Sequence, residues 1–198
     1  MTNGKISKMV FQRKASHLGN SGGKGHLREV ELTEALHHLG MMRKNIHVLH
    51  HPSIQDGLDE TWNVTLAASF IEKLVKQENI SRIFTFDGKG VSGHPNHVDT
   101  YRAVIHQYKY ADRTPIEQPL QVLMLHSSPF LSKYIGPFSF YKHLLLFVRD
   151  TQSIDIMQWN PLNTIRFLQF HRSQLTWYRG LHAFFSQYTY LNQWEIAQ

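Results

Sequence analysis

The sequence predicts an α/β sandwich with a mostly parallel sheet. Apolar residues recur at helical spacing over residues 27–39, 61–78 and 95–108, and short β-rich runs at 45–49, 80–87 and 120–126 alternate with them. Strands separated by helices of this length pair in parallel, because a parallel connection needs a helical crossover.

Residues 1–25 are basic and polar, with glycines at 19, 22, 23 and 25, and read as loop; Gly22, Gly23 and Lys24 could also pad a phosphate-facing turn. Leu27, Val30, Ala35, Leu36 and Leu39 fall mostly on one helical face, and Gly40 supplies the stop. Arg28 and Glu31, at i and i+3 on the other side, read as a solvated pair. A strand at 45–49 leads into a loop through His50, His51 and Pro52, where adjacent histidines face opposite ways. Asp59 is placed to cap a helix over 61–78 whose buried stripe is Leu66, Phe70, Ile71, Leu74 and Val75.

A strand over 80–87 ends in Asp87, and Pro95 opens a helix with Val98, Tyr101, Val104, Ile105 and Tyr108 along one face. Residues 120–126 and 143–148 suit buried strands, with an aromatic stretch of no clear period between them. After Asn160 and Pro161 one long helical pattern runs to residue 188, rich in Trp177, Tyr178, Phe184 and Phe185. Packing accounts for most of these aromatics, and their interleaving with Arg172, Arg179 and His182 also suits a membrane interface. The chain thus divides into a flexible segment 1–25, one domain over 26–190, and a tail 191–198.

With 198 residues, 41% of them hydrophobic and 18% charged, the chain has enough material for one sizeable core and is too apolar for disorder. It contains no cysteine, so any zinc or iron site must draw on His, Asp or Glu, and 14 histidines make that feasible. The net charge of +6 favours anionic partners such as phosphate-bearing substrates, acidic lipid headgroups or nucleic acid. Clustered basic runs and nucleic-acid reading motifs are absent, which argues against nucleic acid. There is no apolar run of transmembrane length and no signal-peptide core in residues 1–25, so the sequence predicts a soluble chain or one whose anchor lies elsewhere.

The stretch FTFDGKGVSGHPNH, residues 84–97, organises the rest. A β-rich run ends in Asp87, a glycine-rich turn follows, and His94 and His97 stand where a helix begins. Ligands in open α/β sheets gather at the carboxyl ends of strands, where this segment delivers one carboxylate and two imidazoles. A His-x-x-His at a helix start can bring both rings to one side, and Asp87 can orient a ring or act on a proton. Surface histidines on a loop also produce an HxxH. The conjunction of strand, Asp, glycine turn and amphipathic helix favours metal-centred chemistry instead.

TFDGKGVSGHPNH closely resembles the signature of the PIG-L/LmbE family of zinc-dependent de-N-acetylases, in the eukaryotic branch that acts on N-acetylglucosaminyl-phosphatidylinositol. Three further stretches agree in order: GHLREVELTEALHHLGM, similar to the family's Arg-containing helix; Gln55-Asp56-Gly57, similar to a loop; and FHRSQLTWYR, similar to its C-terminal His-Arg-Ser-Gln segment. The likeness covers residues 18–188. It implies a Rossmann-like, LmbE-type sandwich and hydrolysis of the glucosamine acetamide in the second step of GPI-anchor biosynthesis. The setting it implies is the cytosolic face of the endoplasmic reticulum membrane, with a glycolipid substrate. It further implies that His97 binds zinc, that His94 acts as acid and oxyanion stabiliser, and that Asp87 orients the site. Arg28 is then a candidate for holding sugar or phosphate, and His171 for lining the pocket.

The chain departs from the family in one respect that matters. The other zinc ligands and the general base come from an HPDD motif after the first strand, and no HPDD occurs here; His50-His51-Pro52 follows a helix and lacks both aspartates. The N-terminal membrane helix of the eukaryotic branch is also absent from the sequence. The expectation is a chain that begins after strand one, holds zinc weakly, and is inactive or weakly active alone. The alternative is a non-catalytic interaction or regulatory protein of a membrane complex built on the same fold.

Overall fold

The computed structural model describes residues 8–11, 25–55, 57, 60–111, 119–141 and 153–198. The strands are β1 (Lys8–Phe11), β2 (Ile46–Leu49), β3 (Arg82–Phe86), β4 (Gln121–Leu125), β5 (Ser153–Met157) and β6 (Leu191–Ile196). The helices are α1 (Gly25–His38), α2 (Val64–Glu78), α3 (Pro95–Tyr110), α4 (Pro161–Leu168) and α5 (Trp177–Phe185). The class is α/β, as the alternation of periods predicts.

β1 and β2 pair in parallel, and a four-stranded sheet runs in the order β3-β4-β6-β5. β3 and β4 are parallel, with Phe86 level with Leu125, so the carboxyl ends of the two strands stand side by side. β6 runs antiparallel to both β4 and β5. Parallel pairing in the larger sheet is therefore concentrated where the glycine turn leaves β3.

The core forms where α2 and α3 pack together over the sheet. Ala67, Ile71, Leu74 and Val75 of α2 meet Ala103 and Val104 of α3 and Val122 of β4. Ala67 and Ala103 are fully buried, and their small side chains let the two helices approach closely. α2 starts at Val64 with Asn63 as its cap, Oδ1 accepting from Leu66 N at 3.0 Å, and not at residue 61 under Asp59. The cause is Trp62, held extended by its N–H donating to Asp99 Oδ2 at 2.9 Å and its Nε1–H donating to Gln55 O at 2.7 Å. Asp59 itself lies outside the described residues.

Several further expectations need correction. Lys8–Phe11 is a strand and not loop, one edge of its backbone paired in parallel with β2. In α1, Ala35 and Leu36 are buried while Leu27, Val30 and Leu39 are exposed; Glu31 joins the buried set instead of facing solvent. Of the face expected on α3, Val104 is buried and Ile105 and Tyr108 pack against the core, but the buried line also takes in Asn96, Asp99, Ala103 and Gln107, of which Asn96 and Asp99 make hydrogen bonds to the β2–α2 loop. The single helix expected over 161–188 is broken into α4, a 3₁₀ turn at Arg172–Gln174, α5 and a short helical turn at Gln187–Tyr190. The tail is β6, inserted between β4 and β5. The strand expected at 143–148 lies outside the described residues, and the unclassified aromatic stretch forms 3₁₀ turns at Leu131–Tyr134 and Gly136–Phe138.

Because β6 supplies the paired edges of both β4 and β5, a chain ending at Tyr190 is expected to lose cooperative thermal unfolding, followed by far-UV circular dichroism. A dispensable tail would leave the melt unchanged.

Candidate active site

Asp87 follows β3 immediately, and its carboxylate closes the gap to β4. Oδ2 accepts from Ser127 N at 2.7 Å, while Oδ1 accepts from Ser127 Oγ at 2.5 Å and from Lys89 N at 3.0 Å. Ser127 Oγ in turn accepts from Val91 N at 2.7 Å. Val91 has φ 62 and ψ −52, a conformation that costs a β-branched residue on the order of 1–3 kcal/mol and persists only when its surroundings hold it. Ser127 holds its N–H, and Lys133 Nζ donates to its carbonyl. Asp87 thus orients the backbone of the turn.

The turn then sets the histidines. Gly90 has φ 59, and a Cβ there would stand 3.0 Å from His97 Cβ, so only glycine allows His97 to pack against this backbone. His97 Nδ1 lies 3.1 Å from Gly90 O, and its ring stacks on Phe86 with centroids 4.0 Å apart and an interplanar angle of 12°. A carbonyl only accepts, so Nδ1 carries the proton and the lone pair of the neutral ring sits on Nε2. His94 has the opposite arrangement. As N-cap of α3 its Nδ1 accepts from Asn96 N at 3.3 Å, which places the proton of the neutral ring on Nε2. The two rings lie together, centroids 5.1 Å apart.

Asn96, between the histidines, clamps the β2–α2 loop: Nδ2 donates to Gln55 O at 2.9 Å, and Gly57 N donates to Oδ1 at 3.4 Å. Asp56 lies outside the described residues. From the same loop His50 Nε2 is 3.4 Å from Glu29 Oε2 on α1, while His51 sits against Phe70 at 5.7 Å, so the adjacent pair diverges as expected.

A second carboxylate joins α1 to the His-Arg-Ser-Gln segment. Glu31 Oε1 accepts from Ser173 N and Oε2 from Ser173 Oγ, both at 2.7 Å. Arg28 lies one turn earlier on α1, and its Nε is buried with no hydrogen-bond partner among the described residues; the same holds for His171 Nδ1. Burial pushes the His171 imidazolium below its ordinary pKa of 6.5, with Glu31 opposing and Arg179 assisting the shift. Burial, with Arg179, also lowers His182. Tyr188, whose hydroxyl accepts from Ser128 N at 2.9 Å, is raised by burial above its ordinary value.

No group of three His, Cys, Asp or Glu side chains able to hold a metal converges among the described residues. His97, with Nδ1 anchored on a carbonyl, has the posture of one zinc ligand. Ser127, Asn96, Glu31 and Lys133 are site residues that sequence reasoning missed. Ser127 could have been found from the parallel register, which places the residues just after β4 beside Asp87.

Ser127→Ala removes a hydroxyl bonded to both Val91 and Asp87 and is expected to cost on the order of 1–3 kcal/mol, read as a shift of the urea midpoint at constant slope. A pH effect follows from the two lowered imidazoles. With His171 and His182 below 6.5 in the folded state, the unfolded chain binds protons first as pH falls. Their contribution is intact above pH 6.5 and is lost as pH drops from there through the lowered folded values. The thermal midpoint should fall over this window, and His171→Gln with His182→Gln should flatten the fall.

A family model described as PIG-L, GlcNAc-PI de-N-acetylase, matches residues 1–108. A Schizosaccharomyces pombe protein named probable N-acetylglucosaminyl-phosphatidylinositol de-N-acetylase is 32% identical over 174 residues, covering 86% of this chain and 68% of its own. The Bos taurus N-acetylglucosaminyl-phosphatidylinositol de-N-acetylase is 32% identical over 174 residues, covering 88% and 67%. That of Saccharomyces cerevisiae is 28% identical over 207 residues, covering 90% and 68%. With the glycine turn, the histidine pair and the buried Glu31 tie in place, the chain belongs to the PIG-L family of GlcNAc-PI de-N-acetylases.

Proposed function

We propose that this chain hydrolyses the acetamide of N-acetylglucosaminyl-phosphatidylinositol, a membrane glycolipid, at the cytosolic face of the endoplasmic reticulum. The observation that carries this reading is the opposed polarity of the two imidazoles. His94 presents an Nε2 proton and His97 an Nε2 lone pair, with ring centroids 5.1 Å apart beside the carboxyl ends of β3 and β4.

Hydrolysis adds water to the amide carbon, moves charge onto the carbonyl oxygen, then breaks the C–N bond as the amine takes a proton and acetate leaves. His94 Nε2–H is suited to donate to the developing oxyanion. To protonate the amine, His94 must first accept a second proton at Nδ1, which displaces the Asn96 N–H; the α3 cap and the acid form are alternatives. Zinc is the proposed cofactor: His97 Nε2 would hold it as one ligand, and it would supply polarisation of the carbonyl and acidification of water. Arg28 and His171, each with a buried nitrogen lacking a partner among the described residues, are proposed to take up sugar hydroxyls or phosphate. Glu31 fixes where they stand by holding Ser173.

Because no HPDD motif occurs in the sequence to supply a general base, the turnover of this chain alone is proposed to be slow. The test is acetate release from soluble GlcNAc-inositol-phosphate with zinc present. The chain should exceed the His94→Ala/His97→Ala double variant by at least about tenfold. His97→Ala alone should also lower bound zinc per folded chain. Equal rates for the chain and the double variant would favour the non-catalytic alternative.

A further inference from the structure

We propose that α5 and the two 3₁₀ turns after β4 form one face that docks on an anionic lipid bilayer. No helix among the described residues is long and apolar enough to cross a membrane, so contact through them has to be interfacial. Leu131 is 82% exposed and Trp177 80%, and Phe130, Phe138, Leu181 and Phe185 are exposed with them. These residues belong to one surface. The backbone of Gly136 lies directly on α5, where a Cβ would meet Phe184 O at 3.0 Å, and the Tyr134 ring stands edge-on to His182 at 6.3 Å. Single exposed apolar residues need no explanation, but a contiguous aromatic face does.

Charge selects the occupant. Residues 130–141 and 177–185, which carry this face, contain no Asp or Glu, while Lys133 and Arg179 fall within them. All 15 acidic residues of the chain lie outside these two spans. An apolar face for a protein partner has no general need to exclude acids over two separate segments. A face meeting negative headgroups does, since each carboxylate there is repelled and each cation attracted. Exposed Trp and Tyr beside cations are the residues that settle at headgroup depth.

The face also adjoins the site. Lys133, in the first of the two 3₁₀ turns, donates to the carbonyl of Val91, one residue from the Gly90 carbonyl that holds His97. A lipid whose tails stay in the bilayer could therefore bring its headgroup toward the histidine pair. That step rests on the deacetylase reading, whereas docking itself does not.

The test is flotation of the full chain with vesicles of phosphatidylcholine alone and of phosphatidylcholine doped with phosphatidylinositol. The expected result is flotation with the doped vesicles, reduced without phosphatidylinositol and reduced by salt. Leu131→Ser/Trp177→Ser should weaken it by at least about tenfold, while Leu131→Phe/Trp177→Tyr should retain it. Acetate release from the soluble substrate should be unchanged in both variants. Variants that float like the parent would overturn the proposal, as would a chain that ignores vesicles and forms a dimer dissociated by Leu131→Ser/Trp177→Ser. Flotation without any acetate release would leave docking standing and remove the deacetylase reading.

Discussion

The clamp between Asp87 and Ser127 is the constraint on which the site depends. Parallel β3 and β4 end level, and their connections then diverge, so nothing in the sheet itself fixes the distance between the two strand ends. Two hydrogen bonds from Ser127 to the Asp87 carboxylate do so, a third from Lys89 N ties that carboxylate into the turn, and the Ser127 hydroxyl passes the restraint on to Val91. Without that restraint Val91 has every reason to relax to negative φ. Such a change would turn the Gly90 carbonyl, and with it the proton on His97 Nδ1. The clamp thereby acts on the tautomer of His97 through the Gly90 carbonyl.

Two further ties follow the same design. Asn96 binds the turn that begins α3 to the loop after β2, and Glu31 binds α1 to the segment before α5. Each tie joins two of the four stretches that carry the family resemblance; Asn96 bonds backbone atoms alone, and Glu31 bonds both the backbone N–H and the hydroxyl of Ser173. Backbone partners are insensitive to what side chain stands at the contacted position. This lets the surrounding sequence vary while the histidine pair stays where it is.

The sequence discloses α1, α2 and α3 because their periods are regular, and it discloses the His94–His97 pair because residues three apart on a helix start must share a side. It does not disclose which polar residues are buried. Glu31, Asn96 and Asp99 look like solvent-facing positions until their partners are known, and those partners lie 142, 41 and 37 residues away. The break after α4 is hidden for the same reason: the aromatics of residues 161–188 satisfy a helical pattern, while Ser173 is drawn out of it by Glu31. β6 is hidden differently. LNQWEI has no strict alternation, since Asn192 and Gln193 are adjacent polar residues, and only its insertion between β4 and β5 distinguishes it from a tail.

The aromatic C-terminal region shows how one segment can serve two demands. Ala183 and Tyr190 are buried against the fold, while Trp177, Leu181 and Phe185 remain outside it. Had these aromatics been present only to fill a core, their exposure would be a cost with no return, since apolar area left in water gains nothing. The same segment carries Arg179, which lowers both His171 and His182. Burial is the larger cause of both lowered imidazoles and Arg179 adds to it, whereas an acidic residue in its place would oppose it. The physical requirement on this stretch is accordingly one of sign as much as of hydrophobicity.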